Sequence, residues 1–230
     1  MKLSKETVEI LNNFSAINNQ FIFREGTKVS SYSQNKSVAV EANISEVIPV
    51  KAATYELSKI MSCLSFLNDS EIFFNDNSIK ISNHQSEAVF ALADENKLTS
   101  ITKDIKFDPS GIRFDLSWIV IKDIMKYANL MKPKSSNALS VQNLTIEGNG
   151  ELIVARVQNS KKIDDECLTI TLAQSDRKFN LRIFIDNLKF LEDDYSVEIA
   201  KATVVRFVGK SKCLTYYIAA NDFSIDTESK

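Results

Sequence analysis

The residues of this chain that could do chemistry are few, and their spacing argues against catalysis. His84 is the single histidine, set in the polar run SNHQSE, so a histidine-based triad or a multi-histidine metal site is excluded. A surface turn accounts for it. The five glycines are scattered and form no phosphate-cradling loop. Two acidic clusters, KIDDE (Lys162 to Glu166) and LEDD (Leu191 to Asp194), have the oxygen ligands a divalent cation needs. Both fall where a helix ends or a loop turns, and a solvated turn explains them as well. No catalytic residue, metal site or cofactor site is expected, and the chain does not read as an enzyme.

What remains is lysine. Lys5, Lys59, Lys122, Lys126 and Lys189 fall on the polar faces of four predicted helices, and Lys132 and Lys134 lie just past the third. An ammonium on a flexible stem suits loose, sequence-blind contact with a polyanion. Ordinary surface helices also carry lysine, so periodicity alone leaves both readings open. Net charge is −2, which argues against a general nucleic-acid adhesive but not against positive charge gathered on one surface.

The elements that would position these lysines follow from apolar spacing. SKETVEILNNFSAIN opens on Ser4 as an N-cap and repeats Val8, Leu11 and Phe14 at helical intervals, with Lys5, Glu9 and Asn12 on another side. YELSKIMSCLSFLND puts Leu57, Ile60, Met61 and Leu64 on one face and Ser58, Lys59, Ser62 and Ser65 on the other. LSWIVIKDIMKYANLMK turns Ile121, Ile124, Met125 and Ala128 inward and Lys122, Lys126 and Asn129 outward. A shorter fourth helix is expected in IDNLKFLED, carrying Lys189. Around them lie short alternating runs with turn chemistry, which read as strands and hairpins. They flank Arg24-Glu25-Gly26-Thr27, Asn75-Asp76-Asn77, Gly148-Asn149-Gly150 and Lys210-Ser211-Lys212.

The pattern repeats. FLND at Phe66 and FLED at Phe190 stand 124 residues apart, and Glu25-Gly26 and Glu147-Gly148 stand 122 apart. In both halves the order is helix, Glu-Gly hairpin, further strands, a helix ending in FLxD, then closing strands. This predicts two α+β domains of one topology, residues 1–106 and 107–230, with a polar linker at about 94–106. No apolar run approaches the roughly 20 residues of a membrane span, and MKLSKETVEIL lacks a signal-peptide core, so a soluble, unexported chain is expected. Cys63, Cys167 and Cys213, odd in number and far apart among apolar neighbours, read as small buried residues in a reducing compartment.

Three stretches, MKLSKETVEILNNFSAIN, EANISEVIPV and YELSKIMSCLSFLND, resemble the DNA polymerase sliding clamps, or processivity factors, of T-even-type bacteriophages. Length, linker position and the segment Phe179 to Asp186 agree with the family along the chain. The linker and the residues beyond Phe223 diverge from it, and the third helix carries the bulky run Trp118 to Ile121.

The resemblance implies a two-domain DNA clamp fold, with two helices and antiparallel sheets per domain. Three protomers would close into a ring whose twelve helices turn their polar faces, with Lys5, Lys59, Lys122, Lys126 and Lys189, toward duplex DNA. It implies edge-strand closure between Glu87–Ala93 (Ala88, Val89, Phe90) and Cys167–Ala173 (Leu168, Ile170, Leu172) of neighbouring protomers. It further implies an outer pocket for partner peptides, placed at Leu98, Ile101, Ile105, Tyr216, Tyr217 and Ile218. The implied partners are double-stranded DNA, the phage DNA polymerase, an ATP-driven clamp loader and late-transcription factors, in the cytoplasm of the infected bacterial host. No cofactor or membrane is implied. The rival readings are a structural ring component and a single-stranded DNA-binding protein. The latter would display aromatic residues beside basic ones on exposed strands.

Overall fold

The structure of the chain, a computed structural model, describes residues 1–98, 105–131, 142–159 and 167–225. The chain forms two compact units. The first comprises Met1–Ile105 with Cys213–Thr215, the second Lys106–Lys212 with Tyr216–Lys230.

In the first unit, helix α1 (Lys5–Ile17) starts where the Ser4 hydroxyl accepts from Thr7 N, as an N-cap should. It buries Thr7, Ile10, Leu11, Phe14 and Ile17, a stripe recurring every three or four residues. Val8 is only half-buried, so the inward face is centred on Ile10 and Leu11. Strands β1 (Phe21–Phe23), β2 (Gly26–Tyr32), β3 (Val38–Ile48) and β4 (Ala52–Thr54) follow, then α2 (Leu57–Phe66). β1 and β2 do not pair with each other, as a Glu-Gly hairpin would require. β1 pairs with β4 and β2 with β3, both antiparallel, so Glu25-Gly26 bends one continuous path, with Gly26 at φ 101°.

Ala93 N donates to Ala53 O, which adds a further neighbour beside β4. The second sheet of this unit runs β5 (Glu71–Asn75), β6 (Ser78–Ser82), β7 (Glu87–Ala91) in that order, with β7 at an edge. Met1 exchanges two backbone bonds with Ile72 on the far side of β5, at 2.9 and 2.8 Å.

The second unit begins with β8 (Pro109–Leu116) and α3 (Trp118–Leu130), capped by the Ser117 hydroxyl. Then come β9 (Gln142–Asn149), β10 (Leu152–Asn159), β11 (Cys167–Gln174) and β12 (Lys178–Phe184). They continue as β13 (Tyr195–Ala200), β14 (Val204–Gly209), β15 (Leu214–Ala219) and β16 (Asp222–Ile225). One sheet has the order β11-β10-β9-β12-β16, and another runs β15-β14-β13-β8.

The two units share a strand plan. β3, the β1–β2 path, β4 and Ala93 take the order of β10, β9, β12 and β16. Met1, β5, β6 and β7 take that of β8, β13, β14 and β15.

The helices do not share that plan. Where unit one places α2 between β4 and β5, unit two has a short 3₁₀ turn, Ile185–Asn187, and then irregular chain. The expected fourth helix over IDNLKFLED is absent. Two buried tyrosines explain why. Tyr216 OH accepts from Leu191 N at 3.1 Å, and Tyr195 OH donates to Leu191 O at 2.6 Å. Side chains thus claim the groups that i→i−4 bonding would need. Burial pushes the phenol pKa of both Tyr195 and Tyr216 upward, so both hydroxyls stay protonated. Asp193 closes the segment by accepting from Ser211 N and Lys212 N.

The paired glycines differ as well. A methyl group on Gly26 would meet nothing within 4 Å. On Gly148, inside β9, it would come within 2.5 Å of Arg177 O and of the Phe179 ring. The cysteines also depart from expectation. Cys167 and Cys213 are exposed and Cys63 is half-buried: Cys167 falls on the outward positions of β11, and Cys213 lies in the turn before β15.

Candidate nucleic-acid and partner surfaces

The polar faces of the three helices are where sequence spacing puts them. Lys5, Glu6, Glu9 and Asn12 are exposed on α1; Ser58, Lys59, Ser62 and Ser65 on α2; Lys122, Asp123, Lys126 and Asn129 on α3. Lys59 is paired with Glu56 at 2.7 Å. Lys189 is exposed too, but on the irregular segment and not on a helix. Lys132 and Lys134 lie outside the described residues. The bulky run on α3 divides, with Ile121 buried, Trp118 and Val120 half-buried, and Ile119 68% exposed.

Each helix start is fixed by acceptors from elsewhere in its own unit, a signal that residue spacing did not carry. Glu46 of β3 accepts from Ser4 N and, at 2.5 Å, from the Thr7 hydroxyl. Asn19 O and Oδ1 accept from Leu57 N and Ser58 N at the start of α2. Asp194 Oδ1 accepts from Trp118 N at 2.8 Å. Such acceptors satisfy the orphan N–H groups and complement the positive helix end.

Burial opposes ionisation of Glu46, but its bonds from Thr7 and Ser4 outweigh that and hold its carboxyl below the usual range. A depressed native pKa stabilises the fold above the unfolded value and loses that contribution as pH falls through the native one. Glu46→Gln should therefore melt below the parent at neutral pH, with the gap closing below pH about 4. Thermal melts across pH read this directly. A gap independent of pH would show that the charge of Glu46 contributes nothing.

The proposed edge strands occupy sheet edges. β7 ends the β5-β6-β7 order, and β11 ends the five-stranded order. Ala88 and Phe90 are half-buried and Val89 is 59% exposed on the opposite face. Leu168, Ile170 and Leu172 share one half-buried face of β11.

The residues nominated for a peptide pocket separate. Tyr216 and Ile218 are fully buried, Tyr216 in a ring cluster with Phe190 and Tyr195, so neither offers surface to a peptide. Alternation along β15 turns them toward the core. Tyr217, on the other face, is 8% exposed and lies 6.2 Å from the half-buried Phe107 ring. Leu98 and Ile105 are half-buried, and Ile101 lies outside the described residues. Spacing also missed the charge cluster beside Tyr217. Glu198 is buried between Arg113 and Arg206, and Arg206 stacks 4.3 Å over Phe107. Among the described residues no group of three or more metal-ligating side chains converges.

Two units of antiparallel sheets on one strand plan, with lysine-bearing amphipathic helices, define a fold that solved structures share. PCNA from A. fulgidus, solved with the C-terminal region of FEN-1 bound, matches at a TM-score of 0.67 and 11% identity, over 96% of this chain and 98% of that one. The class is the PCNA/β-clamp fold, α+β with antiparallel sheets.

Sequence narrows it further. The sliding clamp of Escherichia phage RB69 is 30% identical over 206 residues, covering 86% of each chain. That of Vibrio phage KVP40 is 26% identical over 229 residues, 95% of this chain and 98% of the relative. No family model matches the sequence. The chain belongs to the bacteriophage sliding-clamp family, as a processivity factor for DNA polymerase and not an enzyme.

Proposed function

We propose that three copies of this chain close into a ring around duplex DNA, without regard to sequence, and tether the replicative polymerase of the phage. The carrying observation is that each described α-helix of this sliding-clamp fold turns lysine outward while burying its other face. Flexible ammonium groups hold phosphates without fixed geometry, which permits movement along the duplex. Ring closure would join β7 of one protomer to β11 of the next, two strands left at sheet edges within the chain.

Peptide capture extends to this chain what the A. fulgidus relative does with the C-terminal region of FEN-1. Within the second unit, the half-buried Phe107 ring would supply the apolar contact for it, backed by the buried Tyr217 ring. An ATP-driven loader would open the ring, and late-transcription factors would use the DNA-bound clamp, all in the cytoplasm of the host. No described helix is long and apolar enough to cross a membrane.

The test is retention on DNA after loading. The clamp should stay on closed circular duplex at salt that abolishes phosphate contact, and should leave once the circle is cut. A single-stranded DNA-binding protein would ignore topology, and a structural ring would not be retained. Either result overturns the proposal.

A further inference from the structure

We propose that the grip on DNA is carried by α3 alone, through Lys122 and Lys126, while α1, α2 and the segment after β12 present faces with no excess positive charge. This rests on the reading that the helices face duplex DNA, and it assigns unequal roles to them. The exposed face of α1 sets Lys5 against Glu6 and Glu9, with Glu9 one turn beyond the lysine. On α2 the single lysine, Lys59, is held by Glu56 at 2.7 Å, and the rest of the polar face is the hydroxyls of Ser58, Ser62 and Ser65. The segment that takes the place of α2 in the second unit exposes Asp186, Glu192 and Asp194 against Lys189. Its apolar side chains Ile185, Leu188 and Phe190 are buried, so this stretch serves the core more than the surface.

α3 differs from all of these. Lys122 and Lys126 stand four residues apart on one exposed stripe, with Asp123 the only acid on the helix. Neither lysine has an ion-pair partner among the described residues. Like charges at this spacing weaken a helix, and no ion pair among the described residues offsets them. A local conflict of that kind is the expected mark of a site kept for a ligand. The ligand it fits is a run of phosphates, because two unpaired ammonium groups one turn apart can each neutralise a phosphate and release the cation condensed on it. A lysine already paired with a neighbouring carboxylate, as Lys59 is, must give up that pair to neutralise a phosphate and so gains less on contact. In a ring of three chains the basic stripe would therefore repeat three times, and the intervening helices would pass the backbone with little friction.

A fluorescent linear duplex can thread such a ring end-on, so the salt dependence of its binding reads the contacts. Lys122→Gln/Lys126→Gln removes six lysines from a ring of three chains and should lower the slope of log affinity against log salt by up to about 5, at about 0.9 per lysine. Low-salt affinity should fall at least about tenfold with it. Lys5→Gln/Lys59→Gln should change affinity less than about twofold, and Lys189→Gln should have no effect. Glu6→Gln/Glu9→Gln should raise affinity several-fold by unmasking α1.

Light scattering on each variant confirms unchanged mass. A loss in the Lys5/Lys59 variant equal to that in the Lys122/Lys126 variant overturns the proposal and leaves encirclement standing. Salt dependence unchanged in every variant overturns both.

Discussion

On the proposed ring of three chains, a chain carrying Val89→Pro should scatter light as a single protomer at concentrations where the parent would scatter as three, and should no longer stimulate the polymerase. The reason lies in the ladder between β6 and β7. Asn83 N donates to Ser86 O at 3.0 Å and Leu92 N to Asn77 O at 3.3 Å, so bonded pairs recur every second residue at 81/88 and 79/90. Glu87, Val89 and Ala91 therefore turn their N–H groups to the open edge of the sheet. Proline at 89 removes one outward donor and puts its ring where a neighbouring strand would lie, yet breaks no bond to β6.

Each lost main-chain bond is worth about 1 kcal/mol net, and the steric term adds to it at all three seams. Roughly 1.4 kcal/mol per seam already weakens association tenfold. The melting temperature of the protomer should stay within a few degrees of the parent, and Val89→Ala should remain trimeric. A Val89→Pro protein that keeps three-chain mass would place the seam elsewhere and remove β7 from it.

How far such placements were legible in the sequence differs by element. The inward stripes of α2 and α3 follow from apolar periodicity, and the structure buries Leu57, Ile60, Met61, Ile121, Ile124 and Ala128 as that spacing requires. The turns at Asp76–Asn77 and Gly150 follow from residues that tolerate tight or left-handed backbone. Three things were not legible, and each depends on a partner remote in sequence. Glu25-Gly26 looks like a hairpin, but β1 finds β4 across thirty or so residues, and pairing at that distance leaves no local mark. The family resemblance puts Tyr216 and Ile218 in an outer pocket, but the alternation of β15 turns both into the core. The acceptors Glu46, Asn19 and Asp194 reach their helices from other elements, so no capping box announces them.

The repeated phrase tests this most sharply, because it tempts one to treat its two copies alike. Phe66 ends α2 and is 82% exposed, whereas Phe190 is 8% exposed and its ring centroid lies 4.8 Å from both Phe207 and Tyr216 and 5.1 Å from Tyr195. Phe190→Ala should therefore cost about 3–5 kcal/mol, the usual range for removing a buried aromatic ring. The loss should fall at the upper end, because the cavity lies between two tyrosines pinned to Leu191 and cannot collapse without breaking those bonds. Phe66→Ala should change stability by less than about 0.5 kcal/mol, the ordinary scale for a surface site.

Denaturant melts of the two variants make the comparison, with the midpoint shift read at constant slope. If the two substitutions cost the same, the second unit has a helix at Leu188–Asp194 after all, with Phe190 on its surface, and the asymmetry between the units disappears. If only Phe190→Ala is costly, the duplicated phrase preserves a sequence whose second copy has been drawn into the core. The exposed lysine beside it, Lys189, then rides on a segment whose conformation is set by packing beneath it and not by contact with DNA.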